Sequence, residues 1–174
     1  MDEENIIDED ELELNVVALL RSASLTLGLA ESVTAGLISS RLCKVPGSSS
    51  VFRGAVIPYH RDLKSSLLTS FSHLEPQIAQ MDVVSKEMVL AMASGVCRLL
   101  KSDVGLATTG VAGPDPLEGV DPGNVWIGLW LDGVGRTQKL CLPSARNRVR
   151  DTAATAALEL LRMSLVLRSC QVFD

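Results

Sequence analysis

Three side chains that could together perform acyl chemistry lie within one short stretch of the sequence, from Pro46 to Lys64. Ser49, Tyr59 and Lys64 supply a hydroxyl, a phenol and an amine at intervals of ten and five residues. Serine is a weak nucleophile unless a base stands beside it, and a lysine whose pKa is lowered by burial can be that base. The trio could therefore hydrolyse an amide with neither a metal ion nor a histidine, provided that the fold brings the three groups together.

The pattern around these residues predicts the elements that position them. The apolar run from Val51 to Pro58 indicates a strand, preceded by a Gly-Ser-rich loop and followed by a short helix over 61–68. Ser49 is then expected in the loop, Tyr59 at the end of the strand and Lys64 one turn into the helix. We expect the three side chains to converge in one cleft, although an ordinary loop serine, a packing tyrosine and a solvated lysine would fit the same spacing.

Helical and apolar segments alternate along the whole chain. Helices are expected over 10–23, 34–43, 61–68, 85–101 and 144–167, and strands over 25–30, 51–58, 104–108, 125–131 and 137–142. Such alternation favours a three-layer α/β/α sandwich. A hairpin around 132–135 adds an antiparallel pair, so the sheet should be mixed and mostly parallel. We expect one domain over 11–170, preceded by a disordered acidic segment over 1–10.

The turn after the first strand and a later loop carry further candidate ligand-binding residues. A strand, a polar turn and a helix N-terminus in that order favour an anion, because free backbone N–H groups and the helix dipole both point to it. Glu31, Ser32 and Thr34 could hydrogen-bond a ribose or phosphate there, or they could simply cap the helix. The glycine- and proline-rich segment over 109–123 could close over a ligand or only connect two strands.

Charge is distributed unevenly along the chain. The net charge is −5, but eight acidic residues fall within the first thirteen positions. The remaining 13 acids and 16 bases leave the rest of the chain near +3, which suits a small anionic ligand and is too sparse for a long nucleic acid. Arg146 and Arg150 lie four residues apart and hence on one helix face, where they could bind a phosphate or pair with Asp151 and Glu159.

Cysteines and histidines form no metal-binding or redox pattern in this sequence. The cysteines are Cys43, Cys97, Cys141 and Cys170. A zinc site is therefore not expected, and His60 and His73 receive no role. Scattered cysteines without a signal peptide predict reduced thiols in a cytoplasmic protein. Glu159 and Arg162 interrupt the C-terminal apolar stretch, so no association with a membrane is expected.

Five motifs in a fixed order resemble those of a known family. They are AESVTAGLIS (30–39), VPGSSSVFRGAVIPYHRDLK (45–64), TTGVAGPDP (108–116), PGNVWIGL (122–129) and the 146–150 segment. Together they resemble the CinA C-terminal domain family, whose characterised members are nicotinamide mononucleotide (NMN) deamidases. The resemblance spans about 12–161 and implies an α/β/α fold, a metal-independent amidase of pyridine nucleotide salvage that uses no cofactor, and a homodimer. It also indicates the stand-alone form, because some members carry a large additional N-terminal domain.

The resemblance also implies roles for individual residues. Ser49 corresponds to the nucleophile, Tyr59 to a strand-end tyrosine and Lys64 to the lysine that follows it. The residues expected around the substrate are Glu31, Ser32, Thr34, Gly36, Gly47, Ser48, Thr109, Gly110, Ala112, Gly113 and Arg146. The expected reaction is hydrolysis of the NMN carboxamide to nicotinate mononucleotide and ammonia.

The sequence departs from the common family pattern near the ligand-binding motifs. Val33, Ala35 and Gly36 stand where a cysteine and two glycines are usual, and the 120–123 stretch has no lysine. Ser144 and Ala145 replace a Gly-Asp pair before the arginine. These changes leave the trio intact but affect the residues expected to bind the ligand. The alternatives are therefore a nucleotide-binding module with weak or no turnover, and an amidase of altered specificity.

Overall fold

The computed structural model describes residues 9–69 and 81–171. The helices are α1 (Glu9–Ser22), α2 (Leu37–Cys43), α3 (Arg61–Thr69), α4 (Lys86–Leu100) and α5 (Arg146–Gln171). The strands are β1 (Leu27–Glu31), β2 (Phe52–Val56), β3 (Val104–Gly110), β4 (Asn124–Leu131) and β5 (Val134–Cys141). Of the acidic segment expected over 1–10, residues 1–8 lie outside the described part of the chain, and residues 9 and 10 begin α1. His73 also lies outside it.

The described strands form one mixed sheet in the order β2-β1-β3-β4-β5. β1 pairs in parallel with both β2 and β3, with Leu27 opposite Phe52 on one side and Val104 on the other. β4 is antiparallel to both of its neighbours, so it alone among these strands runs in the opposite direction. The expected mixed, mostly parallel sheet is confirmed.

Helices cover both faces of this sheet. On one face, α1, α2 and α5 pack on a core built from alternate strand residues such as Leu29, Leu106 and Ile127, all fully buried. On the other face, α4 packs with α3 over smaller residues, among them Ala30 and Ala107. The three-layer sandwich is therefore confirmed. None of the described helices combines the length and the apolar character needed to cross a membrane.

Helix α4 lies directly on the sheet backbone, and this close contact depends on glycine. A Cβ on Gly105 of β3 would lie 1.9 Å from the Ala93 carbonyl oxygen, and one on Gly128 of β4 would lie 2.6 Å from the Val89 carbonyl oxygen. No side chain fits at either position without moving the helix. The segment before α4 contains Val83, whose carbonyl accepts a hydrogen bond from Thr109 in the site described next.

Candidate active site

A cavity of about 390 Å³ lies at the edge of the sheet where the three parallel strands end. Ser32 follows β1, Tyr59 follows β2 and Gly110 ends β3, so each strand delivers one part of its wall. The carboxyl edge of parallel strands is the usual place for ligands in α/β folds. The cavity is lined by Ser32, Val33, Tyr59, Lys64, Gly110, Val111, Ala112, Gly113, Pro114, Asp115, Pro116, Leu117 and Arg146.

Lys64 is a buried amine within this wall, with 3% of its surface exposed. Its Nζ donates to Thr109 Oγ1 over a long 3.4 Å, and that hydroxyl donates in turn to the Val83 carbonyl at 2.6 Å. Burial lowers the pKa of Lys64 from 10.5 to about 8; the Glu118 carboxylate opposes this change, and the Arg61 guanidinium adds to it.

The lowered pKa changes what Lys64 can do near neutral pH. With a pKa of about 8, about 9% of the amine is uncharged at pH 7, against about 0.03% for a lysine at 10.5. An uncharged amine can accept a proton, and a base works best when its pKa lies near the working pH. The arrangement therefore suits Lys64 to general-base chemistry.

Arg146 joins the two sides of the cavity mouth. Its Nη2 donates to Tyr59 Oη at 3.0 Å, and its Nη1 donates to the Gly113 carbonyl. Tyr59 is 56% exposed, so the phenol stands at the mouth while the amine of Lys64 lies inside. The guanidinium adds a fixed positive charge to the wall, which suits an anionic group on a ligand.

Ser32 is the serine that the structure brings to the same cavity as Tyr59 and Lys64. It is 5% exposed, and its N–H donates to the Thr108 carbonyl at 3.0 Å. Arg150 of α5 fixes the turn that follows, donating to the carbonyls of Val33 and Thr34 at 3.3 and 3.1 Å. The position of Ser32 is therefore set both by the sheet and by a helix.

Ser49 lies at the opposite edge of the sheet. It belongs to a 3₁₀ turn over 48–50 that precedes β2, where Val51 accepts a hydrogen bond from the N–H of Leu27 at the start of β1. A strand of five residues such as β2 spans roughly 16 Å and separates this turn from Tyr59, which follows the strand. Within one chain, the expected convergence of Ser49 with Tyr59 and Lys64 is not found.

The Glu31 carboxylate occupies the position where an external anion was expected. It is fully buried, and its oxygens accept hydrogen bonds from Thr34 Oγ1 (2.8 Å), Gly36 N (2.9 Å), Ile38 N (3.1 Å), Ser39 N (2.9 Å) and Ser39 Oγ. Ala35 and Gly36 have left-handed backbones (φ +48° and +93°), so α2 begins at Leu37 rather than at Thr34. The anion that neutralises the start of α2 is thus part of the fold.

The other residues expected around a substrate fall into three groups. Ser32, Gly110, Ala112, Gly113 and Arg146 line the cavity, whereas Thr109 touches it through Lys64. Thr34 and Gly36 both donate to the Glu31 carboxylate in the turn before α2. Gly47 and Ser48 lie with Ser49 at the far edge, where Arg21 donates to the Gly47 carbonyl at 3.1 Å.

Sequence reasoning missed the role of Arg150 in fixing the Ser32 turn, and it missed Val83, Arg61 and Glu118 around Lys64. The sequence did contain a signal for Ser32, because Ser32 follows one strand as Tyr59 follows the next. Parallel strands end at the same edge of a sheet, so the two residues are expected to lie near each other. Among the described residues, no group of three or more His, Cys, Asp or Glu side chains could hold a metal ion.

The fold and the cavity first define a class, namely an α/β/α domain with a buried lysine in a ligand-sized cavity at the carboxyl edge of its parallel strands. Within this class, the chain belongs to the CinA C-terminal domain family, whose model matches residues 9–165.

Solved structures of the family have the same fold. A CinA superfamily protein from Enterobacter cloacae superposes with a TM-score of 0.86 at 26% identity, covering 95% of this chain and 96% of that one. A second, from Klebsiella pneumoniae, gives a TM-score of 0.84 at 26% identity, covering 91% and 98%. The two matches extend over nearly the whole of both chains.

Curated relatives are considerably longer than this chain. A CinA-like protein of Frankia casuarinae is 42% identical over 157 residues, which cover 90% of this chain and 36% of the relative. A putative competence-damage inducible protein of Alkaliphilus oremlandii is 37% identical over 169 residues, which cover 95% and 40%. The chain thus spans about two fifths of the length of these relatives.

Proposed function

We propose that this chain is an amidohydrolase that converts NMN to nicotinate mononucleotide and ammonia, with Ser32 as nucleophile and Lys64 as general base. One observation carries the proposal: a buried lysine with a pKa of about 8 lines the same cavity as a serine and a tyrosine. The identity of the substrate is inferred from the resemblance of the sequence motifs to those of the family. The 390 Å³ of the cavity fits a ligand of this kind, since small-molecule sites measure about 300–1,000 Å³.

The first half-reaction forms an ester on Ser32 and releases ammonia. The uncharged Lys64 amine takes the hydroxyl proton as Ser32 Oγ attacks the carboxamide carbon. Backbone N–H groups of Ala112 and Gly113, which line the cavity, hold the oxyanion that develops. A proton from the Lys64 ammonium, relayed by the Tyr59 phenol, reaches the amide nitrogen; the C–N bond then breaks and ammonia leaves.

The second half-reaction consumes one water molecule. Lys64, uncharged again, takes a proton from water as the oxygen adds to the ester carbon. The bond to Ser32 Oγ breaks, the hydroxyl regains its proton from Lys64, and nicotinate mononucleotide leaves. Arg146 holds the phosphate of the nucleotide throughout, because its guanidinium is a fixed cation at the mouth of the cavity.

Ammonia release from NMN by purified protein tests the proposal. Ser32→Ala and Lys64→Met should each lose about a thousandfold or more in kcat, whereas Ser49→Ala should stay within a few-fold of wild type. The opposite result for the two serines would assign the nucleophile to Ser49, which a second copy of the chain would then have to deliver. In that case, mixing the inactive Ser49→Ala and Lys64→Met proteins would restore part of the activity.

A nucleotide-binding module without turnover is the second candidate. It is favoured by Val33, whose apolar side chain lines the cavity at the position where a cysteine is usual in the family. Calorimetry with NMN distinguishes the two functions when combined with the ammonia assay. Binding without any ammonia release would establish the module, and release that depends on Ser32 would exclude it.

A further inference from the structure

A charged pair that takes no part in the proposed chemistry joins α3 to the loop that lines the cavity. Arg61, the first residue of α3, donates from Nε to Glu118 Oε1 at 3.1 Å and from Nη2 to Glu118 Oε2. Its Nη1 donates to the Met81 carbonyl at 3.2 Å. One guanidinium therefore connects α3, the cavity loop and the segment before α4. The planar fork of arginine suits such a two-bonded carboxylate.

Glu118 occupies a backbone position that its residue type does not favour. Leu117 and Val120 exchange two backbone hydrogen bonds of 3.0 and 2.9 Å, which close a two-residue turn over Glu118 and Gly119. Both central residues have positive φ, +50° and +78°, as in a type I′ turn. Such positions favour asparagine, aspartate and glycine, so a glutamate here gains nothing from its local conformation. Its ion pair with Arg61 gives it a different purpose.

Glu118 directly follows a loop segment that forms much of the cavity wall. The segment from Gly113 to Leu117 lines the cavity, and Leu117 keeps 45% of its surface exposed. Arg146 binds the carbonyl of Gly113 at one end of the segment, and Arg61 binds Glu118 directly after its other end. The wall is thus fastened at both ends by arginines from helices on opposite faces of the sheet.

We propose that the Arg61–Glu118 pair is a latch that holds the 113–117 segment against a substrate in the cavity, which makes both residues positioning residues of the reaction. The effect on catalysis depends on the proposed function, whereas the effect on the loop does not. Opening the latch frees one wall of the cavity, so the bound nucleotide is held less tightly and a larger share of its binding energy is spent on ordering the loop.

The same pair sets the charge near Lys64. The charged and titratable groups near the pair and the amine are His60, Arg61 and Asp62 around the start of α3, Asp82 before α4, Asp115 and Glu118 on the loop, Tyr59 at the end of the β2 segment, and Arg146 on α5. Among them, Glu118 raises the pKa of Lys64 and Arg61 lowers it. Breaking the latch from either side therefore loosens the loop but leaves opposite charges beside the amine.

The experiment compares Glu118→Gln with Arg61→Gln. Both should raise amide hydrogen exchange over 113–121 and the KM for NMN by about two- to fivefold, the range for a partly exposed ion pair. The pH at which kcat/KM rises should fall in Glu118→Gln and increase in Arg61→Gln. Glu159→Gln breaks an ion pair with Arg162 on α5, of comparable exposure and distant from the cavity wall, and should change none of the three measurements.

Two results would overturn the proposal. Unchanged exchange over 113–121 in both variants would show that the pair does not hold the loop. Movement of the pH profile in the same direction in both would show that the pair does not act on Lys64. Should the wild-type protein release no ammonia from NMN, the proposed function fails, and the exchange measurement still decides whether the latch exists.

Discussion

Replacing Lys64 by methionine should make the protein inactive and, near neutral pH, more stable. Methionine has a similar length and an apolar end, so it can fill the space of the buried side chain without bringing a charge. Among the described residues, the amine makes one hydrogen bond, the long contact with Thr109, whose hydroxyl retains its bond to the Val83 carbonyl. The main effect on stability should therefore be the removal of a buried ammonium.

The size of this gain follows from the pKa of Lys64. A pKa lowered from 10.5 to about 8 corresponds to roughly 3 kcal/mol at about 1.4 kcal/mol per tenfold change, present in full below pH 8. Between pH 8 and 10.5 the unfolded chain binds more protons than the folded one, so the wild-type protein gains stability as the pH rises. At pH 7 the variant should unfold roughly 6–12 °C higher than wild type, and above pH 10.5 the difference should vanish.

Thermal unfolding followed by circular dichroism at pH 7, 9 and 10.5 measures this effect, with the ammonia assay run on the same samples. Lys44→Met, which changes an exposed lysine, is the matched control and should alter the free energy of unfolding by less than about 0.5 kcal/mol at every pH. A Lys64→Met protein that is no more stable than wild type at pH 7, together with flat wild-type stability from pH 8 to 10.5, would refute the reasoning.

Substitutions at three further positions, two of them with a control variant, test the elements that hold the site. Glu31→Gln should destabilise the fold by about 2–3 kcal/mol in urea titrations, because the carboxylate accepts five hydrogen bonds at the start of α2. Gly105→Ala should cost about 3 kcal/mol or more, since its Cβ would meet a helix carbonyl, whereas Gly133→Ala in open space should cost about 1 kcal/mol from its positive φ alone. Arg150→Met should lower kcat for NMN roughly 10- to 100-fold with little change in KM, and Arg150→Lys should recover part of it, because the guanidinium positions the Ser32 turn.

The arrangement of Tyr59 and Lys64 was predictable because it depends on local order along the chain. An apolar run, a tyrosine at its end and a helix beginning two residues later place both side chains at the same edge of any sheet that contains the strand. Ser49 precedes the same strand. The same pattern therefore predicts that Ser49 lies at the opposite edge of the sheet from Tyr59 and Lys64. Choosing Ser32 required knowing that β1 pairs in parallel with β2, and that pairing is decided by packing across the whole sheet.

The contacts that surround Lys64 could not be predicted in this way. Arg61 and Glu118 are separated by 57 residues, and nothing in either local sequence distinguishes them from other surface charges. Glu31 is a different case, because a carboxylate before a helix is a known capping signal. The sequence left open whether Glu31 caps the helix or binds a ligand, and only the buried geometry of the turn shows which hydrogen bonds it makes.

The most direct test of the proposed mechanism is to find the residue that carries the acyl group during turnover. Protein quenched in acid while it turns over NMN can be digested with trypsin, which places Ser32 in the 22–41 peptide and Ser49 in the 45–53 peptide. Mass spectrometry should then find the nicotinate mononucleotide ester on the 22–41 peptide, and fragmentation should locate it at Ser32. An ester on the 45–53 peptide, or ammonia release with no ester on either peptide, would contradict the mechanism.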